Sequence, residues 1–233
     1  ALEASKKDEK AASLYADGFC KTHEQVAKLP QVTALSNRLE RALAGAYYAS
    51  DSERLHDTVL SFGERASLEI FSHFLAKKVS CVSLDSEAAV IVSNGVFGNA
   101  SCDIKATGKN ISKANEMNAG KAIIITGFYG VDSAGNVNLF GRGGSDYSAG
   151  AIAAAAGAKK VILYKDVPGF LRADPKTVQS PEIISTVSFN DAAELGYFGS
   201  KIVHPRTFDP LKGTGITVEI RPFARPECAG TIV

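Results

Sequence analysis

Hydrophobic and polar positions follow two periods along this chain. Val32, Leu35, Leu39 and Leu43 recur at three- and four-residue spacing. That spacing puts them on one face of a helix, and Pro30 stands just before them, where a helix can start. Thr58 to Lys78 carries the same period, with Leu68, Phe71, Phe74 and Leu75 as the expected apolar stripe. Val79 to Leu84 reads as a strand. Ala88 to Asn110 reads as irregular, with a short strand at Val90-Ile91-Val92 and turn chemistry at Asn94-Gly95 and Gly98-Asn99. Ala122-Ile123-Ile124-Ile125 is a continuous apolar run that suits a central strand. Tyr129 to Asn138 reads as a hairpin loop, turning at Ser133-Ala134-Gly135-Asn136.

The later part is clearer. An alanine-rich helix is expected from Ala149 to Ala158, then a strand from Lys160 to Tyr164. Strand, loop, helix, strand argues for an α/β fold whose parallel sheet carries helices packed on it. A further helix is expected over Asn190 to Ser200, capped by Ser188 with Asp191, and a final strand over Ile216 to Ile220. Ligands of open α/β sheets sit beyond the carboxyl ends of strands. Phe128, Arg142 and Asp166 fall near or just past such ends.

Composition narrows the function classes. A chain of 233 residues suits one large domain or two small lobes. A formal net charge of +1 offers no electrostatic case for nucleic acid or an anionic membrane. No apolar run approaches the roughly 20 residues of a membrane span. The polar opening Ala1-Leu2-Glu3-Ala4-Ser5 is unlike a secretory leader. Cys20, Cys81, Cys102 and Cys228 form no CxxC pair, which suits scattered buried thiols in a reducing compartment. His23, His56, His73 and His204 show no metal-ligand spacing, so no metal held by histidine is expected.

Candidate chemistry concentrates in Gly141-Arg142-Gly143-Gly144-Ser145-Asp146. Glycines let backbone approach a ligand. The helix start that follows supplies unpaired N–H groups and partial positive charge. Arginine adds a planar fork that fits a carboxylate or phosphate. Such a turn suits an anionic small molecule; the alternative is a tight turn with a solvated arginine.

Four blocks then carry a resemblance. They are Ser61-Phe62-Gly63-Glu64; Thr126-Gly127-Phe128 followed by Gly141 to Ala149; Asp166-Val167-Pro168-Gly169-Phe170 with Asp174-Pro175-Lys176; and Phe198-Gly199-Ser200-Lys201-Ile202-Val203-His204-Pro205. In this order they resemble the catalytic domain of aspartate kinases, in the amino acid kinase family. The resemblance implies a three-layer αβα sandwich around a central, mostly parallel sheet. An amino-acid lobe over residues 1–146 would precede a nucleotide lobe over 147–233. The implied reaction moves the γ-phosphoryl group of ATP, with Mg2+, to the side-chain carboxylate of L-aspartate. The product is 4-phospho-L-aspartate, on the way to lysine, threonine and methionine. A cytoplasmic homodimer is implied, with neither nucleic acid nor membrane as partner.

The resemblance also assigns residues. Arg142, Gly144 and Ser145 would meet a substrate carboxylate and Glu64 the ammonium; Glu64 could instead close a capping box with Ser61. Phe128 would close over the amino acid, or simply pack in the core. Asp146, the catalytic candidate, would help place magnesium or orient Arg142, or else cap the helix. Lys165, Asp166, Leu171, Lys176 and Lys201 would serve the nucleotide. Lys176 stands where the family has arginine, and Leu171 where an aromatic is common. Lys201 could equally be a solvated lysine near a helix end. The family's opening strand, ending in Lys-Phe-Gly-Gly-Thr-Ser, has no counterpart before Glu64. The first strands and phosphate loop are therefore expected to be missing, through truncation or degeneration, and the chain alone to be a poor kinase. Competing readings are a non-catalytic aspartate-binding or regulatory subunit of the same fold, or another amino acid kinase.

Overall fold

A computed structural model describes residues 1–48, 52–88, 90–174, 176–198 and 202–233. The chain forms two compact units, Ala1–Gly141 and Arg142–Val233. The Arg142–Asp146 turn therefore belongs to the second unit.

In the first unit, α1 (Leu2–Ser5), α2 (Lys10–Glu24), α3 (Pro30–Tyr48) and α4 (Glu53–Leu75) precede β1 (Cys81–Leu84). A 3-10 turn (Ser86–Ala88), α5 (Ile104–Met117), β2 (Ala122–Ile125), β3 (Tyr129–Val131) and β4 (Val137–Leu139) follow. The α3 stripe lies where its period predicts: Val32, Leu35, Leu39 and Leu43 are all buried, and the last three pack with Ala12, Phe62 and Ala66. In α4 the expected stripe is corrected. Leu68 is buried, but Phe71 and Phe74 are 58% and 45% exposed. The buried face holds Asp57, Ser61, Phe62, Arg65, Ala66 and Leu68. Two charged residues belong to that face, so a pattern drawn from apolar residues alone selects the wrong side.

β1 and β2 pair in parallel from Cys81↔Ala122 to Leu84↔Ile125. β3 and β4 form the expected hairpin. Its turn is closed by Asp132, whose Oδ1 accepts from the N–H groups of Ala134 and Asn136 at 2.9 Å. The expected strand at Val90–Val92 reduces to a single bridge, Val92↔Val131. The stretch expected to be irregular ends in a helix, α5, capped by Asp103 accepting from the Ala106 N–H at 2.9 Å.

The second unit contains α6 (Gly144–Ala156), β5 (Lys160–Lys165), α7 (Phe189–Phe198), a 3-10 helix (Pro205–Leu211), β6 (Thr217–Pro222) and β7 (Thr231–Ile232). β5 pairs with β6 in parallel, and β7 adds an antiparallel edge beyond the strand expected to be last. Leu163, Phe170, Val203, Phe208, Val218 and Ile220 form its core. The Ser188–Asp191 capping pair is present: the Asp191 N–H donates to Ser188 Oγ at 3.1 Å. α6 starts at Gly144, earlier than Ala149, because Gly143 at φ 72° turns the chain directly into the helix. Small residues let α6 lie close to the 3-10 helix; a Cβ on Gly150 would stand 2.8 Å from the Thr207 carbonyl oxygen. The parallel pairs with packed helices are the α/β class expected. Among the described residues, no helix is long and apolar enough to cross a membrane.

Candidate functional site

A cavity of about 610 Å3 in the second unit gathers the ends of three elements. The amino end of α6 contributes Arg142, Gly143 and Asp146, the carboxyl end of β5 contributes Lys165, and the start of the 3-10 helix contributes His204. Lys165 Nζ donates to Asp146 Oδ2 at 2.6 Å, with the two side chains 20% and 19% exposed. Gly143 rests on His204: a Cβ there would fall 2.4 Å from the histidine Cβ. His204 Nδ1 accepts from the Arg206 N–H at 3.3 Å, which anchors the ring as the cap of its own helix. Among the described residues, the result is a concave surface with two cations, one carboxylate and a helix amino terminus. The first-turn N–H groups of a helix and its dipole favour an anion there.

The expected site residues divide. Arg142, Asp146 and Lys165 line this one cavity. Gly144 is buried and Ser145 exposed in the first turn of α6, directly after Gly143. Asp146 is also in that turn but is not its cap: Gly143 stands at the cap position, with no side-chain cap hydrogen bond, and the Asp146 carboxylate pairs with Lys165. Asp166 and Lys176 are exposed and Leu171 bridges Ile183; none of the three lines the cavity. The Lys176 N–H donates to Asp174 Oδ1 at 2.9 Å. Lys201 lies outside the described residues. The lining residues not expected from the sequence include His204 and the 78% exposed Tyr197. His204 belongs to the Phe198–Pro205 block and Tyr197 borders it, and that adjacency was the available signal.

Among the described residues, no group of three His, Cys, Asp or Glu side chains could hold a metal ion. Among the described residues, Asp146 is the one carboxylate lining the cavity, and it is already paired. Such a donor set fits a magnesium ion that keeps phosphate and water ligands and takes at most Asp146 from the chain.

In the first unit Glu64 lies half-buried in the middle of α4. The capping-box reading of Ser61 and Glu64 is thereby corrected: the cap is Ser52, which accepts from the Leu55 N–H at 3.2 Å. Ser61 is buried and donates to the Thr58 carbonyl at 2.7 Å. Phe128 has φ 73°, unusual for a residue with a side chain, and leans on the cluster of Tyr129, Val131, Val137 and Leu139. Beside Glu64, Arg65 is 1% exposed. Its Nη1 pairs with Glu87, which also takes Arg38 Nη2 at 2.7 Å. Burial alone pushes Glu87 up, yet hydrogen bonds from Arg38 and Arg65 outweigh it and hold the carboxyl below its usual range.

Residues 5–222 match the model of the amino acid kinase family. The chain is 34% identical over 192 residues to an aspartokinase of Bacillus sp. (strain MGA3), covering 82% of this chain and 46% of that protein. It is 33% identical to lysine-sensitive aspartokinase 3 of Escherichia coli (strain K12), covering 82% and 43%. The crystal structure of E. coli aspartokinase III in complex with aspartate and ADP superposes with a TM-score of 0.77 at 31% identity, covering 89% of this chain and 48% of that one. The same enzyme with lysine and aspartate gives 0.79, covering 87% and 45%. The chain thus spans about half the length, or less, of the relatives it matches. With its parallel strand pairs and a family match running through nearly its whole length, the chain belongs to the amino acid kinase family.

Proposed function

We propose that the protein is an aspartate kinase, transferring the γ-phosphoryl group of ATP to the side-chain carboxylate of L-aspartate. The observation that carries this reading is the cationic cavity at the start of α6, where Arg142 and Lys165 flank Asp146. The 31% identity to an enzyme crystallised with aspartate and ADP supports the choice of substrates. A carboxylate oxygen of aspartate attacks the γ-phosphorus, the bond to the bridging oxygen breaks, and ADP leaves with that electron pair. The carboxylate is already a competent nucleophile, so no general base is assigned. Catalysis then rests on positioning and on charge neutralisation.

In this reading Arg142 and Ser145 hold an aspartate carboxylate, Gly144 leaves room for it, Glu64 takes the ammonium and Phe128 covers the bound amino acid. Lys165 neutralises phosphate charge and Asp146 orients Lys165. Asp166, Leu171, Lys176 and Lys201 attend the nucleotide. Bound magnesium would neutralise charge on the transferring phosphates. The first unit is chiefly the aspartate lobe and the second the nucleotide lobe, of a cytoplasmic homodimer. The test is ADP release by the full-length protein with aspartate, glutamate or N-acetylglutamate as acceptor. Release with aspartate alone is expected. Preference for another acceptor overturns the substrate, and aspartate binding without ADP release would make the chain a binding subunit.

A further inference from the structure

Two candidate acceptor-binding residues of the first unit, Glu64 and Phe128, each precede a residue of one buried cluster. Glu64 precedes Arg65, and Phe128 precedes Tyr129, which is fully buried. The Arg65 guanidinium stacks on the Phe62 ring at 5.3 Å and on the Tyr129 ring at 5.4 Å. Its Nε donates to Ser61 Oγ at 3.1 Å, one turn back along α4. Nη1 lies 3.7 Å from Asp85 Oδ2, and the Tyr129 hydroxyl donates to Asp85 Oδ1. Nη2 is buried with no hydrogen-bond partner among the described residues, and the Phe62 and Tyr129 ring faces flank the guanidinium.

The segment carrying Phe128 is held on both sides. Ser86 donates its N–H to Thr126 Oγ1 at 2.7 Å and its hydroxyl to the Thr126 carbonyl at 3.0 Å. After Phe128, Tyr129 is tied to Asp85, and the Phe128 carbonyl accepts from the Phe140 N–H at 2.9 Å. Phe128 therefore keeps its left-handed φ because its neighbours over-determine it. Asp85 and Ser86 are adjacent, so one short stretch fixes both flanks of Phe128 and, through Arg65, the turn of α4 that carries Glu64.

We propose that Arg65, Asp85 and Tyr129 are positioning residues for the acceptor amino acid, a frame that sets Glu64 and Phe128 together without touching the substrate. This rests on the roles given above to those two residues. Breaking the frame should loosen acceptor binding and leave the nucleotide alone.

The test uses the full-length protein with Tyr129→Phe, which keeps the ring and removes one hydroxyl, and with Asp85→Asn and the double variant. Arg65→Lys is the harsher change, and the two milder variants decide the matter if it fails to fold. KM is measured for ATP and for the acceptor that the wild type prefers among aspartate, glutamate and N-acetylglutamate. Each single variant should raise acceptor KM about fivefold or more, with ATP KM within about twofold. The double variant should raise acceptor KM by less than the product of the two single effects, because both residues belong to one connected cluster. A fall in melting temperature with an unchanged KM ratio overturns the proposal and leaves the cluster a plain core element. A preferred acceptor other than aspartate overturns the aspartate reading, and the frame is then judged by the same ratio on that acceptor. Absence of turnover with all three overturns both.

Discussion

Replacing Lys165 by methionine keeps an apolar stem and deletes the ammonium that meets Asp146. At 2.6 Å and an effective dielectric near 20, the gross attraction is about 6 kcal/mol. Desolvation and side-chain ordering offset most of it. Exposed pairs retain about 0.2–1 kcal/mol, whereas removing one partner of a fully buried pair costs about 3–5 kcal/mol. Side chains 20% and 19% exposed fall between those limits. The widowed Asp146 also keeps a favourable place in the first turn of α6, worth about 0.3–1 kcal/mol. The expected loss is therefore about 2 kcal/mol, with a coupling of about 1–2 kcal/mol in a cycle completed by Asp146→Asn. Urea unfolding of the four proteins measures the coupling. ATP KM should rise about tenfold or more in Lys165→Met if the ammonium neutralises phosphate charge. Additivity within about 0.3 kcal/mol would refute the pairing as an energetic unit, and an unchanged ATP KM would refute the role assigned to Lys165.

Three further outcomes are expected. Gly143→Ala forces a left-handed residue into the His204 side chain, so it should lose clearly more stability than Gly135→Ala, whose site at φ 80° has open space; the strain shared by both is about 1–2 kcal/mol, and equal melting temperatures would contradict the packing described. Arg142→Ala should weaken aspartate binding by about 2–5 kcal/mol with nucleotide affinity nearly intact, and calorimetry showing unchanged aspartate affinity would remove Arg142 from the site. Glu87 is held below its ordinary range, so its stabilisation is complete above the unfolded value of about 4.3 and is lost as pH falls through the lower folded value. The gap in melting temperature between wild type and Glu87→Gln should thus be widest near neutral pH and close below about pH 4; a gap that widens in acid would reverse the sign.

Regular apolar spacing made α3 legible, since every member of its stripe is buried and three of the four share one cluster. The same rule failed on α4, where the side that packs includes Asp57 and Arg65. Asp57 is buried because its Oδ2 accepts from the N–H groups of Gly98 and Leu139, both at 2.8 Å and both distant in sequence. Such long-range partners leave no local periodic trace. The hairpin turn and the Ser188–Asp191 cap are set by neighbouring residues and were readable for that reason. α5 was missed because its only buried residues are Thr107 and Ile111, so most of its surface is polar. At the site, Arg142 and Asp146 announced themselves by chemistry and spacing. Tyr197 and His204 did not, because their relevance comes from lining the cavity beside α6 and β5.

Gly150 acts as a spacer midway along α6. A methyl group there would press on the Thr207 oxygen and on Leu211 Cδ1, at 2.8 and 3.3 Å. Because the same 3-10 helix is capped by His204, and His204 backs Gly143, such a shim would be felt as a shift of the ring beneath the glycine turn. The bore of the cavity is thus adjustable from outside it, by residue size at a position no ligand would contact.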